Sequence, residues 1–114
     1  MSTRTLTING NAIAVHESAG TGSPMVLVHG NSSSGRTFVK QLEGSLGQRH
    51  HVIALDLPGH GESVRPSDPA TTYCLPGYAD VVVGVAQALG VEDAVFVGWS
   101  LGGHIVLEAS PRLP

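Results

Sequence analysis

An α/β fold, with a mostly parallel sheet opened by an antiparallel hairpin and helices on both faces, is predicted by three features of this 114-residue sequence. Short apolar runs recur at Met25–Val28, Val52–Leu55 and Ala94–Val97, each followed by polar or glycine-rich residues. Helix-period segments stand between them. An Asn9-Gly10 pair splits two extended runs near the start. Apolar runs of this length, bounded by turn residues, suit strands buried on both faces, and their alternation with helices implies βαβ units and a parallel sheet.

Taken in order, Thr5–Ile8 and Ala12–Glu17 form the hairpin arms, because Asn-Gly suits the tight turn between twisted strands. A loop, Gly20–Pro24, leads into the first buried strand, which ends at His29-Gly30. A helix is expected over about residues 36–46, carrying Phe38, Val39, Leu42 and Leu46, with Gly44 weakening it. The second buried strand ends at Asp56 and opens into a Pro-, Gly- and Ser-rich loop, residues 57–69. Tyr78, Val81, Val82, Val85 and Leu89 recur at spacings of three and four, so Gly77–Leu89 reads as a helix closed by Gly90. Val81-Val82-Val83 alone would suit a strand, but Ala79, Ala86, Gln87 and Ala88 around it favour the helix. After the third buried strand another helix is expected over Leu101–Ala109. Ser110–Pro114, with two prolines, is a poor continuation of it.

Composition excludes several classes of function. The hydrophobic share of 41% is drawn mainly from Val, Leu, Ile and Ala, and fifteen glycines point to many tight turns or close backbone contacts. The net charge of −3 comes without a Lys/Arg stripe, so nucleic acid is not an expected partner. No apolar run approaches the roughly 20 residues of a membrane span, and the N-terminus lacks a signal-peptide apolar region. The single cysteine, Cys74, cannot form an internal disulfide and reads as an ordinary thiol. These features together favour the cytoplasm as an expectation.

In a parallel sheet the binding loops follow the carboxyl ends of the strands, here residues 29–35, 56–63 and 98–103. The third of these holds Gly98-Trp99-Ser100-Leu101-Gly102, a G-x-S-x-G sequence between a buried strand and a helix. A sharp strand-to-helix turn there would lift the Ser100 hydroxyl above the sheet as a nucleophile, with glycine needed two residues to either side. Acyl transfer also needs two donors aimed at the developing oxyanion. The Leu101 backbone N–H is one, and Asn31, in the loop after the first buried strand, is best placed for the other. Gly30, Ser32 and Trp99 are candidates to line the substrate site. Asn31–Ser34 would also suit a cap on the following helix, and the two roles can hold together, with the oxyanion role favoured. His29 is expected to be a structural hydrogen-bonding residue, His104 to pack, and His60 to shape its loop; His16, His50 and His51 have no catalytic companion in the sequence. No histidine spacing matches a metal site, and neither a phosphate loop nor a nicotinamide glycine pattern is present, so no metal or cofactor is expected.

Together His29-Gly30-Asn31, the Asp56–Ser63 loop and Gly98–Gly103 resemble the α/β-hydrolase family over nearly the whole chain. The resemblance implies the N-terminal part of that fold, an ester-directed hydrolase with Ser100 as nucleophile and Leu101 and Asn31 as oxyanion donors. His29–Gly35, Gln41–Gly44, Gly77–Asp80 and Gly98–Ile105 look like the N-acyl-homoserine lactonases of this family, which implies a lactone substrate opened without metal. The family places its acid and histidine in later strands, beyond a cap region. The chain is therefore expected to be a partial domain, residues 1–114, truncated after the nucleophile helix, with a bare apolar strand edge open to self-association and little turnover of its own. A general carboxylesterase, a cofactor-free perhydrolase, and a non-catalytic module binding an acyl ligand or a partner chain are the alternatives.

Overall fold

The computed structural model describes residues 1–114. Strands β1 (Ser2–Ile8) and β2 (Asn11–Glu17) pair antiparallel in full register, from Ser2 opposite Glu17 to Ile8 opposite Asn11. Asn9 and Gly10 make the turn with φ of 51° and 82°, the two left-handed positions that a twisted two-residue hairpin requires. Strands β3 (Gly22–Val28), β4 (His50–Leu55) and β5 (Val95–Gly98) run parallel to one another, while β2 joins β4 antiparallel. The sheet order is β1-β2-β4-β3-β5, so the strand leading to Ser100 occupies an edge.

Helices lie on both faces. The segment expected to be one helix over residues 36–46 is instead a 3-10 turn (Gly35–Phe38) followed by two short helices, α1 (Val39–Glu43) and α2 (Ser45–Arg49). The break falls at Gly44, whose backbone is extended and folded so tightly that a Cβ would strike the Lys40 carbonyl. One face of the sheet, from Leu27, Val52 and Ala54, packs on Leu42 with Phe38 and Leu46 alongside. Opposite, Ile13, Val15, Val26, Val28, Ile53 and Leu55 pack against helix α4 (Leu75–Leu89) through Tyr78, Val81, Val82 and Val85. Each such side chain fully buried stabilises the fold by about 1.5–3 kcal/mol, so the α4 face, much the larger cluster, is the main core. A short helix α3 (Pro69–Thr72) precedes α4, and Gly90 ends it in the left-handed conformation.

Helix α5 (Leu101–Ala109) adds Ile105 to the α4-side core and leaves Leu107 outward. Along β5, Phe96 turns toward the same core while Val95 and Val97 stand 60% and 40% exposed. The β5 edge therefore presents apolar side chains as well as unpaired backbone groups. No helix is long and apolar enough to cross a membrane.

Candidate active site

Three loops meet at the carboxyl ends of β3, β4 and β5. At the third, Ser100 sits between β5 and α5 with φ 55° and ψ −117°. A non-glycine residue held there is costly, by about 1–3 kcal/mol, unless its surroundings fix it. Two other non-glycine residues have positive φ, Asn9 and Ser32. The hairpin turn accounts for Asn9; the other two, Ser32 and Ser100, lie in neighbouring loops of this site.

Backbone crowding fixes the Ser100 turn. A Cβ on Gly98 would strike the backbone at Gly102 and Gly103, and one on Gly102 would strike the carbonyl oxygens of Val28 and His29 in the adjacent strand end. The Trp99 N–H donates to the Val28 carbonyl at 3.0 Å, extending the β3–β5 pairing into the turn. The chain then enters α5, with Gly102, Gly103 and His104 amides closing on Trp99 and Ser100 carbonyls. The Leu101 N–H, first in the helix, takes no acceptor from the chain.

Gly30 brings the first loop against this turn. A Cβ there would stand 3.4 Å from the Trp99 ring and 3.5 Å from Ser100 Cβ, ordinary contact distances that put the two loops against one another. Asn31 and Ser32 follow, both exposed, and the Asn31 N–H is likewise unclaimed by any acceptor. Ser34 caps the 3-10 turn by accepting the Arg36 N–H at 3.3 Å, so the expected capping role falls to Ser34 rather than Asn31. Gly30, Asn31, Ser32, Trp99, Ser100 and Leu101 thus fall in one region at the strand ends. Trp99 is 54% exposed and offers its ring to whatever occupies that region.

The histidines divide by environment. His29 is wholly buried; its Nε2 accepts the Leu57 N–H at 3.0 Å, which leaves Nδ1–H to donate to the Gly30 carbonyl at 2.6 Å. Its structural role is as expected. His60 accordingly shapes its loop, with Nδ1 3.0 Å from the Pro58 carbonyl and its ring 5.2 Å from that of His29. His104, expected to pack, is exposed, because it lies on the α5 face that neither sheet nor α4 covers. His16 had no visible companion in the sequence, yet it is wholly buried with Nε2 3.0 Å from Asp56 Oδ1 and Nδ1 2.8 Å from the Thr3 hydroxyl. Those contacts join β1, β2 and the loop after β4, with His16 and Asp56 40 residues apart, and no local spacing announces them. No histidine bonds the Ser100 hydroxyl.

His16, Asp56 and Glu62 lie close enough together to hold a cation. Asp56, however, already accepts the Gly35 N–H at 2.7 Å, the Glu62 N–H at 2.9 Å and His16 Nε2. Three donors occupy most of a carboxylate's acceptor positions and turn it away from metal binding.

Burial pushes the His29 imidazole below its ordinary range, against the Gly30 carbonyl, which favours the charged form; His60 and His16 also oppose charging, and Asp56 favours it. The unfolded chain therefore binds this proton more readily than the folded one. Stability is fully present above about pH 6.5 and is lost as the pH falls below it, by no more than about 1.4 kcal/mol per pH unit for one proton. Thermal midpoints from pH 7.5 to 5.5 are expected to fall for the wild type and to fall less steeply for His29→Gln; equal slopes would assign the loss to other groups.

Residues 23–114 match the family model for the α/β-hydrolase fold. The crystal structure of the N-acyl homoserine lactonase AidH, complexed with N-butanoyl homoserine, superposes with a TM-score of 0.97 at 50% identity, covering all of this chain and 42% of that one. The (E)-2-((N-methylformamido)methylene)succinate hydrolase of Acinetobacter baylyi is 30% identical over the whole chain, which covers 42% of it. The pimeloyl-(acyl-carrier protein) methyl ester esterase of Xanthomonas oryzae pv. oryzae is 39% identical over 95 residues, 83% of this chain and 34% of its own length. The chain spans between a third and about two-fifths of these hydrolases. By its family match, its sheet and these relatives, this chain belongs to the α/β-hydrolase fold family.

Proposed function

We propose that the chain supplies the nucleophile and the oxyanion donors of a serine hydrolase of carboxylic esters or lactones, with N-acyl homoserine lactones as its substrate class. In this reading Ser100 Oγ attacks the lactone carbonyl carbon while a base removes its proton. The Leu101 and Asn31 N–H groups hold the oxyanion, and Gly30, Ser32 and Trp99 line the substrate. The ring C–O bond breaks, the homoserine oxygen takes a proton, and water then releases the open acid from Ser100. One observation carries the reading: Ser100 is held at a strained φ by backbone crowding on both sides, next to the unclaimed Leu101 N–H and against Gly30, whose neighbour Asn31 has an N–H that no acceptor claims. The lactone preference draws on the likeness to AidH. Among these 114 residues no histidine hydrogen-bonds the Ser100 hydroxyl.

A non-catalytic acyl-binding module is the second reading, favoured by that same lack of a base. The two part on one experiment, in which imidazole at high concentration stands in for the base. The purified chain, treated with a fluorophosphonate, is expected to gain a single adduct at Ser100 by intact mass, and Ser100→Ala none. N-hexanoyl homoserine lactone is expected to protect better than methyl hexanoate. An adduct that persists in Ser100→Ala sinks the nucleophile assignment, and equal protection sinks the lactone preference.

A further inference from the structure

Residues 30–35, the loop carrying Asn31, are held at both ends by side chains that reach neighbouring backbone units after β4. At the start, His29 donates to the Gly30 carbonyl and accepts the Leu57 N–H. At the end, Asp56 accepts the Gly35 N–H at 2.7 Å. Asp56 is itself fixed. Its other oxygen takes the Glu62 N–H, and His16, braced by the Thr3 hydroxyl, donates to the first. His16, His29 and Asp56 are all at most 1% exposed. Glycine at 35 and 61 is what admits the carboxylate: a Cβ on Gly61 would strike it, and one on Gly35 would press on the His16 ring. Between the anchors Asn31 and Ser32 are exposed, Ser32 sits at φ 57°, and neither N–H finds an acceptor. Ordering the backbone there costs conformational entropy, and the exposed tip makes no hydrogen bond of its own to offset it.

We propose that His29 and Asp56 are positioning residues that clamp the two ends of loop 30–35 onto residues 56–57, and so hold the Asn31 N–H beside Ser100, with Thr3 and His16 bracing the Asp56 end from β1 and β2. The inference rests on the reading of Asn31 as an oxyanion donor. Charge-assisted N–H···carboxylate bonds are about twice as strong as neutral ones, which makes the Asp56 end the tighter anchor.

Asp56→Asn tests it, since the amide keeps the size but turns an NH2 toward an N–H donor. NMR of the full 114-residue chain is expected to show the Gly35 and Glu62 amide protons moving upfield. Backbone order parameters at Asn31–Ser33 are expected to drop from the rigid range, about 0.85, to below about 0.6, while Val26–Val28 stay rigid. The imidazole-assisted adduct rate at Ser100 is expected to fall at least tenfold with the half-saturating probe concentration unchanged. Thr3→Val, at an exposed position, gives a milder change in the same direction and serves if Asp56→Asn does not fold. A loop as rigid as in the wild type, loosening spread equally into Val26–Val28, or a loosened loop with an unchanged adduct rate each overturns the proposal. Failure of the wild type to form a Ser100 adduct is a separate result, sinks the nucleophile reading instead, and is seen before any variant is made.

Discussion

Gly102→Ala is expected to abolish the native fold at the β3–β5–α5 junction, lowering stability by about 3 kcal/mol or more. The added methyl would overlap the Val28 carbonyl oxygen severely and press on that of His29. Both are backbone atoms at the end of a strand that pairs with β4 on one side and β5 on the other, so no side-chain rotation relieves the clash. Moving α5 outward would pull Ile105 from the core and stretch the Trp99 N–H bond to Val28. Clashes of this kind belong to the upper range of single-substitution effects, and a domain has only about 5–15 kcal/mol in hand. Gly103→Ala is the control: its methyl would meet Gly98 at 3.5 Å, an ordinary contact. Urea titrations should give a much lower midpoint for Gly102→Ala and a near-native one for Gly103→Ala. Similar midpoints for the two would mean that the junction yields where it looks rigid.

The contrast between these two glycines marks how far the sequence could be read. G-x-S-x-G between a buried strand and a helix is a local pattern, and the strained turn follows from local crowding, so Ser100 and its flanking glycines were legible. So were the hairpin at Asn9-Gly10 and the helix start at Leu101, where short-range chemistry decides. The helix expected over residues 36–46 failed because Gly44 and Gly47 both sit where the chain folds back on carbonyls only four to six residues earlier, a local break that overrode the apolar spacing. Asp56 and His16 were illegible as a pair. Nothing links positions 16 and 56 until β2 and β4 lie antiparallel with His16 opposite Ala54. Sheet order was equally hidden, since the buried strands carry the same Val, Leu and Ile code whichever neighbours they take.

In buffer without added imidazole, the 114-residue chain and its Ser100→Ala variant are expected to hydrolyse N-hexanoyl homoserine lactone and p-nitrophenyl butyrate at indistinguishable rates. A serine hydroxyl is a weak nucleophile at neutral pH, and a positioned base contributes about 10²–10⁴-fold to its attack. The six histidines do not supply one. His29 has both ring nitrogens engaged by Gly30 and Leu57, His16 both by Asp56 and Thr3, and His51 is paired with Glu17. His50 and His60 bond backbone carbonyls of Ser23 and Pro58. His104, on the first turn of α5, is exposed, and its side chain makes no hydrogen bond to Ser100. On the proposed reading, added imidazole should restore Ser100-dependent adduct formation. A Ser100-dependent rate in plain buffer would overturn the expectation. Its dependence on protein concentration would then discriminate further: a rate rising as the square of concentration places the base on a second copy, and a first-order rate places it within the chain.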